Sequence, residues 1–219
     1  MIEIIGQLLP QYIRWPNMQN HLRSANVFEA RSRGIPGVIG AIDGCHIPIK
    51  QPDGNAVDFY NRKGFHSIIL QGVCDERGVF IDTTIGQPGR MHDARVFRLS
   101  DVYASLTRQN PILPQNLHLI GDSAYPLMNN LMKPYQDNGH LTPVQINYNT
   151  KLSSIRSVIE RAFGLLKVKF RRLKYLDVKN GQTANRIVLA ACILYNFILL
   201  QGNPLDDYNV DFLNDMEYM

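Results

Sequence analysis

Three carboxylates stand out by where they fall in the chain. Asp43 interrupts the stretch 38–49, an otherwise apolar run rich in β-branched residues, which reads as a strand buried on both faces. A carboxylate in such a strand is expensive unless a cation or a set of donors compensates it, and a bound metal ion would do so. The competing reading is a turn at Asp43-Gly44 that splits the run in two. Asp122 follows the short apolar segment 117–120 and so stands at the carboxyl end of a strand, where α/β sheets carry ligand sites; a turn or cap aspartate is the alternative. Glu160 lies on a segment with helical apolar spacing (Ile155, Ile159, Ala162, Phe163, Leu166, Phe170, Leu173), beside the apolar face.

Arg156, Lys167 and Arg171 fall four before, seven after and eleven after Glu160, so one helical stripe carries a carboxylate flanked by cations. That is the pattern of a metal ligand beside a phosphate track. The bland alternative is an Arg156/Glu160 pair on a solvated face, worth about 0.2–0.5 kcal/mol. Lys167, Lys169, Arg171, Arg172 and Lys174 add a positive cluster that a nucleic-acid backbone could neutralise, although part of such a cluster can be solubilising surface.

The elements that must position these groups follow from pattern and punctuation. Segments 2–14 and 17–32 read as two helices broken at Trp15-Pro16, followed by a Gly/Pro linker. After the 38–49 strand, 66–74 and 79–85 read as two further strands of an antiparallel meander joined by Asp75-Glu76-Arg77-Gly78. Residues 91–106 read as a helix and 117–120 as a strand. A broken helix over 127–136, a fifth strand over 141–146 and helices over 153–173 and 184–200 complete the chain. The expected fold class is α/β: a ribonuclease H-like mixed sheet with flanking helices. The expected organisation is a helical appendage (1–36), a main α/β domain (37–200) and an acidic tail (201–219).

Composition sets outer bounds. With 219 residues and 45% apolar content the chain can bury a real core. Cys45, Cys74 and Cys192 form no CxxC pair, which gives no zinc or disulfide framework and suits a reducing compartment. The longest apolar stretch, 187–200, contains Asn196 and reads as too short for a bilayer, and no secretory leader opens the chain; no membrane partner is expected. The formal charge of +4 conceals an asymmetry: residues 201–219 carry five acids and no base, so residues 1–200 hold 23 bases against 14 acids, a net +9. A polyanionic partner is the natural inference.

Four motifs in order, Gly40-Ala41-Ile42-Asp43-Gly44-Cys45-His46-Ile47, Gly89-Arg90-Met91-His92-Asp93-Ala94-Arg95-Val96-Phe97, Gly121-Asp122-Ser123-Ala124-Tyr125-Pro126 and Val158-Ile159-Glu160-Arg161-Ala162-Phe163-Gly164-Leu165-Leu166-Lys167, closely resemble those of the PIF/Harbinger transposases and the host proteins derived from them. The resemblance covers roughly residues 35–200. It implies a DDE nuclease domain of ribonuclease H-like fold in which Asp43, Asp122 and Glu160 match the catalytic acids. Asp93 matches a further acidic position, read either as a metal ligand or as a helix N-terminal acid favoured by the macrodipole. Cys45 stands where the family usually has threonine.

The chemistry implied is a two-metal site for Mg2+ or Mn2+, with Asp43 shared, Asp122 on one ion and Glu160 on the other. His46 and His92 would orient acids or touch phosphate, with a hydrogen-bonded structural role as the alternative. DNA is the implied substrate, with Arg156, Lys167, Lys169, Arg171 and Arg172 as its contacts. The family usually carries a longer region with a helix-turn-helix-like segment before the core, where about 35 residues precede Gly37 here, so target recognition is expected in an absent segment or in a partner; the resemblance implies a separate Myb/SANT-like DNA-binding protein as that partner. A nuclear location is expected, with the cytoplasm as alternative, and homodimerisation is left open. The rival reading is a domesticated DNA- or protein-binding protein of the same fold that does not cut. A hydrolase for small phosphorylated substrates is disfavoured by the open basic track.

Overall fold

β1 (Val38–Pro48) sits in the middle of the molecule, and the remaining elements are arranged around it. In the computed structural model, which describes residues 1–202, the order is α1 (Ile2–Gly6), α2 (Leu9–Tyr12), α3 (Met18–Ser32), β1, α4 (Ala56–Phe59), β2 (Ser67–Cys74), β3 (Phe80–Pro88), α5 (Asp93–Arg98), α6 (Asp101–Thr107), β4 (His118–Ile120), β5 (Leu131–Met132), α7 (Pro143–Lys169), a 3-10 turn (Arg171–Lys174) and α8 (Gly181–Leu200). The acidic residues expected to form a tail, Asp206 to Glu217, lie outside the described residues.

The five strands form one mixed sheet in the order β3-β2-β1-β4-β5. β1 pairs antiparallel with β2 and β2 with β3, whereas β1–β4 and β4–β5 are parallel. All eight residues of β2 are buried, as an inner strand covered on both faces requires. One face packs against α7 and α8 through Val38, Ala41, Ile47, Ile68, Leu70, Ile155, Ile159, Leu166 and Val188. The other face packs against α5, α6 and the Tyr125 loop through Ile39, Ile42, Val73, Phe97 and Val102. Residues 1–36 join these two cores: Phe28 is fully buried in the first and Ala25 lies in the second.

α7 is the longest helix, 27 residues. Its buried residues Leu152, Ile155, Val158, Ile159, Ala162, Phe163 and Leu166 recur at helical spacing and lay one stripe on the sheet. It starts at a capping box, in which the Thr142 side chain accepts from Gln145 N and the Thr142 N–H donates to Gln145 Oε1 at 2.8 Å, with Pro143 in the first turn.

Several sequence expectations need correction. Residues 141–146 are not a strand: the capping box makes Pro143 the start of α7. The fifth strand is Leu131–Met132, and 127–136 holds no helix. The helix expected over 91–106 divides at Leu99–Ser100, where Ser100 Oγ accepts from Tyr103 N and caps α6. The helix expected over 2–14 breaks before Pro10 into α1 and α2. α8 reaches 20 residues and is, by length and composition alone, long and apolar enough to cross a membrane. Here it serves as a core helix, with Ala184, Val188, Cys192, Ile193 and Tyr195 buried among the sheet and α7.

Candidate active site

Asp43 lies mid-strand, opposite Gly72 of β2, so the strand is continuous and no Asp-Gly turn breaks it. Alternation along β1 turns Asp43 to the α7 side. Its Oδ1 accepts from the Gly44 N–H at 2.8 Å, and its Oδ2 accepts from Arg156 Nη1 at 2.9 Å. The carboxylate is only 18% exposed. Burial pushes its pKa up to about 7, against the pull of Arg156 and the Gly44 N–H, while the charges of Asp122 and Asp93 add to the rise.

Asp93 is the first residue of α5 and comes in from the opposite face. Gly44 makes room for it: a Cβ there would lie 2.5 Å from Asp93 Oδ1. Burial raises the Asp93 pKa, Asp122 raises it further, and Arg62 and His92 oppose the rise. Asp122 sits two residues beyond β4, whose last residue pairs with Ala41, and its Oδ1 accepts from Ala124 N at 2.9 Å. It therefore makes the turn contact anticipated for it and also faces the other acids.

Glu160 reaches the same place from α7. Its Oε1 accepts from Arg156 Nη2 at 2.5 Å, and the side chain is 53% exposed. One guanidinium thus spans the β1 acid and the α7 acid. The pairing of Arg156 with Glu160 foreseen along the helix exists, but on a partly buried face and with Asp43 as a third member.

Tyr125 was not singled out in the sequence. Its ring lies against Gly121, where a Cβ would stand 2.9 Å from Cδ2, and edge-on to Phe97 at 5.7 Å. It is fully buried, its hydroxyl has no hydrogen-bond partner among the described residues, and its pKa is raised by burial and then by Asp43, Asp93 and Asp122. Arg62 and Lys63, in the stretch between β1 and β2 to which the sequence assigns no element, also bear on the site. Arg62 acts on Asp93 and His46, and Lys63 on His46 and Cys45. Two adjacent bases bounded by Gly64 were the available signal.

The histidines divide. His46 Nδ1 is 2.9 Å from Ser67 Oγ, so its ring is hydrogen-bonded, and burial, then Lys63 and Lys167, lower its pKa. His92 is the exposed N-cap position of α5 and makes no side-chain cap bond. Among the cations, Lys167 Nζ donates to the His46 carbonyl at 3.0 Å. Lys169, Arg171 and Arg172 are exposed at the end of α7 and in the 3-10 turn.

Asp43, Asp93, Asp122 and Glu160 are hard oxygen donors of the kind Mg2+ or Mn2+ prefers. Burial, and to a smaller degree Asp122 and Asp93, raises the Asp43 pKa to about 7, the buried Tyr125 hydroxyl beside these acids has no hydrogen-bond partner among the described residues, and in chemistry the set fits a divalent ion. As placed, no group of three or more His, Cys, Asp or Glu side chains among the described residues is close enough to hold one, and Arg156 supplies the local cation.

Comparison with known proteins identifies a family. Residues 42–196 match the family described as DDE superfamily endonuclease, a span that begins beside Asp43 and contains all four acids. "Putative nuclease HARBI1" of Rattus norvegicus is 31% identical over 208 residues, covering 91% of this chain and 57% of that protein. The Homo sapiens protein of the same name gives the same figures. "Protein ALP1-like" of Arabidopsis thaliana is 28% identical over 232 residues, covering 99% of this chain and 56% of that one. The chain spans a little over half the length of these relatives. No solved structure matches it. The family match and the relatives together make this chain a member of the DDE superfamily endonucleases, on the Harbinger transposase-derived branch.

Proposed function

We propose that this chain is the catalytic core of a divalent-metal-dependent endonuclease that cuts DNA phosphodiester bonds. The observation that carries this reading is the convergence of Asp43 from β1 and Glu160 from α7 on one guanidinium, with Asp93 and Asp122 in electrostatic reach of Asp43. Asp43, Asp93 and Asp122, far apart in sequence, act on one another electrostatically, Glu160 joins them through Arg156, and without a cation such a set is self-destabilising. The strand order and pairing support a ribonuclease H-like fold. Mg2+ or Mn2+, bound as a pair, would activate water and stabilise the leaving oxygen.

The chain's own residues supply the rest. Asp43, Asp122 and Glu160 are the ligands in this reading, with Asp93 as a fourth. Packing fixes their backbones, since three lie in or beside strands and α5 while Glu160 rides on a helix with a buried stripe. Lys167, Lys169, Arg171 and Arg172 offer phosphate contacts leading from the acids along α7. DNA is the proposed partner, together with a Myb/SANT-like DNA-binding protein that supplies target choice, in the nucleus. The core may be tested as a homodimer by sedimentation.

One observation favours a second reading, a domesticated binding protein of the same fold. Arg156 already neutralises two of the acids, and among the described residues no three stand close enough to hold an ion. Supercoiled plasmid incubated with the protein in Mg2+, Mn2+ or EDTA separates the two. The nuclease nicks with metal alone, and Asp43→Asn and Glu160→Gln, folded by circular dichroism, lose at least about 100-fold in rate. DNA binding without nicking under any metal favours the binding protein.

A further inference from the structure

Arg156 does more than sit on a helix beside Glu160. Its two terminal nitrogens go to two different acids, Nη1 to Asp43 and Nη2 to Glu160, so the guanidinium occupies the space between the acid of the strand and the acid of the helix. Its side chain is 20% exposed, which leaves these pairs less screened than surface ones. The geometry points to Arg156 as a resident counter-cation that holds Asp43 and Glu160 together and competes with a divalent ion for them. This rests on the metal-dependent reading above and adds to it a positioning residue with a definite direction of effect.

The argument is one of occupancy. A guanidinium and a metal ion both neutralise carboxylates, and both need the same oxygen lone pairs. Each Asp43 oxygen already accepts one hydrogen bond, Oδ1 from the Gly44 N–H and Oδ2 from Arg156, so Arg156 takes up carboxylate capacity that an ion would need. An ion held by Asp43 and Glu160 would compete with Arg156 for their oxygens. The side chain has somewhere to go: Ser153, Ser154 and Ser157, its small neighbours on α7, are all exposed, and the helix backbone need not move. A displaced guanidinium remains within a side chain's length of the acids, facing solvent and any bound phosphate.

A residue that merely props the acids in place and a residue that competes for them make opposite predictions. If Arg156 props the site, removing it weakens metal binding. If it competes, removing it tightens metal binding while the metal-free protein becomes less stable, because Asp43 and Glu160 then repel unrelieved.

The test is Mn2+ titration by calorimetry, with thermal unfolding in EDTA and in Mn2+, on the whole chain, Arg156→Gln, Arg156→Lys and Asp43→Asn. The expected result is Mn2+ affinity about tenfold or more higher in Arg156→Gln than in the unsubstituted chain, and intermediate in Arg156→Lys, which keeps the charge but not the fork. In EDTA, Arg156→Gln melts below the unsubstituted chain, and Mn2+ raises its melting temperature by the larger increment. Equal or weaker Mn2+ binding in Arg156→Gln, with binding intact in the unsubstituted chain and lost in Asp43→Asn, overturns the competition while leaving the metal site standing. Absence of Mn2+ binding in every variant, Arg156→Gln included, removes the metal-dependent reading itself and this inference with it.

Discussion

At the scale of single residues, burial decides which carboxylates are informative. Asp43 was legible because a charged residue in an apolar strand demands an explanation, and the structure supplies one in Arg156. Tyr125 was not legible, since a tyrosine after a turn is ordinary and only the fold puts its hydroxyl beside three acids. Asp82 illustrates the same physics away from the site. It lies on β3, accepts from Trp15 Nε1 at 3.2 Å, and burial pushes its pKa up to about 6. Its folded value is above that of the unfolded chain, so the folded form binds the extra proton between about pH 4 and pH 6. The stability associated with this group is therefore fully present at low pH and is lost as pH rises through about 6, on the order of 3 kcal/mol by the shift. Asp82→Asn should remove that loss: urea unfolding should find the variant more stable than the unsubstituted chain at pH 8 and no more stable at pH 4. A second residue-scale expectation concerns Tyr125→Phe. Deleting a buried hydroxyl that has no partner among the described residues should leave stability unchanged or raise it by up to about 1 kcal/mol in EDTA, and a clear loss in urea unfolding would show that the hydroxyl has a partner in solution.

At the scale of elements, what was legible depended on length and on whether a signal was local. β1, β2, β3 and α7 carry long runs with one period, and their presence followed from pattern. β5 has two residues, too few for any periodicity, and its strand character comes from pairing with β4. The start of α7 was misjudged because 141–146 is apolar enough to pass for a strand, although Thr142-Pro143-Val144-Gln145 spells a capping box with proline in the first turn. α8 holds its place by a contact no pattern reveals. Asn196, fully buried, gives Oδ1 to the Phe80 N–H at 2.9 Å, and its Nδ2 donates to the carbonyls of Phe80 at 2.7 Å and Tyr12 at 2.8 Å. The amide acts as a neighbouring strand for the outer edge of β3 and ties in α2. Asn196→Leu keeps the volume but leaves the buried Phe80 N–H and carbonyl unpaired, so it should cost roughly 2–5 kcal/mol. Urea unfolding measures this directly; a loss below about 1 kcal/mol would mean that the Phe80 groups find water once the amide is gone.

At the scale of the whole molecule, charge was legible in amount but not in arrangement. The excess of 23 bases over 14 acids in residues 1–200 says that a polyanion would be attracted, and nothing about where. The structure brings Arg62 into electrostatic reach of Asp93, and Lys63 and Lys167 into reach of Cys45 and His46 on β1 beside Asp43, and leaves Arg171 and Arg172 exposed in the turn that follows α7. A duplex lying across the acids and along this helix end would release one condensed counterion for about each phosphate it gives to a base, so the logarithm of affinity should fall linearly with the logarithm of salt. If Arg171 and Arg172 each hold a phosphate, the double substitution to alanine should lower the magnitude of that slope by about 2, and weaken binding nearly equally for every sequence tested, because phosphate contacts carry no base information. Asp43→Asn should leave the slope alone, since it removes a negative charge that touches no phosphate and lies largely buried. Fluorescence anisotropy with one labelled duplex over a range of NaCl concentrations, in EDTA, measures both. An unchanged slope in the arginine double variant would move the track off the end of α7 and onto the Arg62-Lys63 loop, where the corresponding pair of substitutions is the next to make.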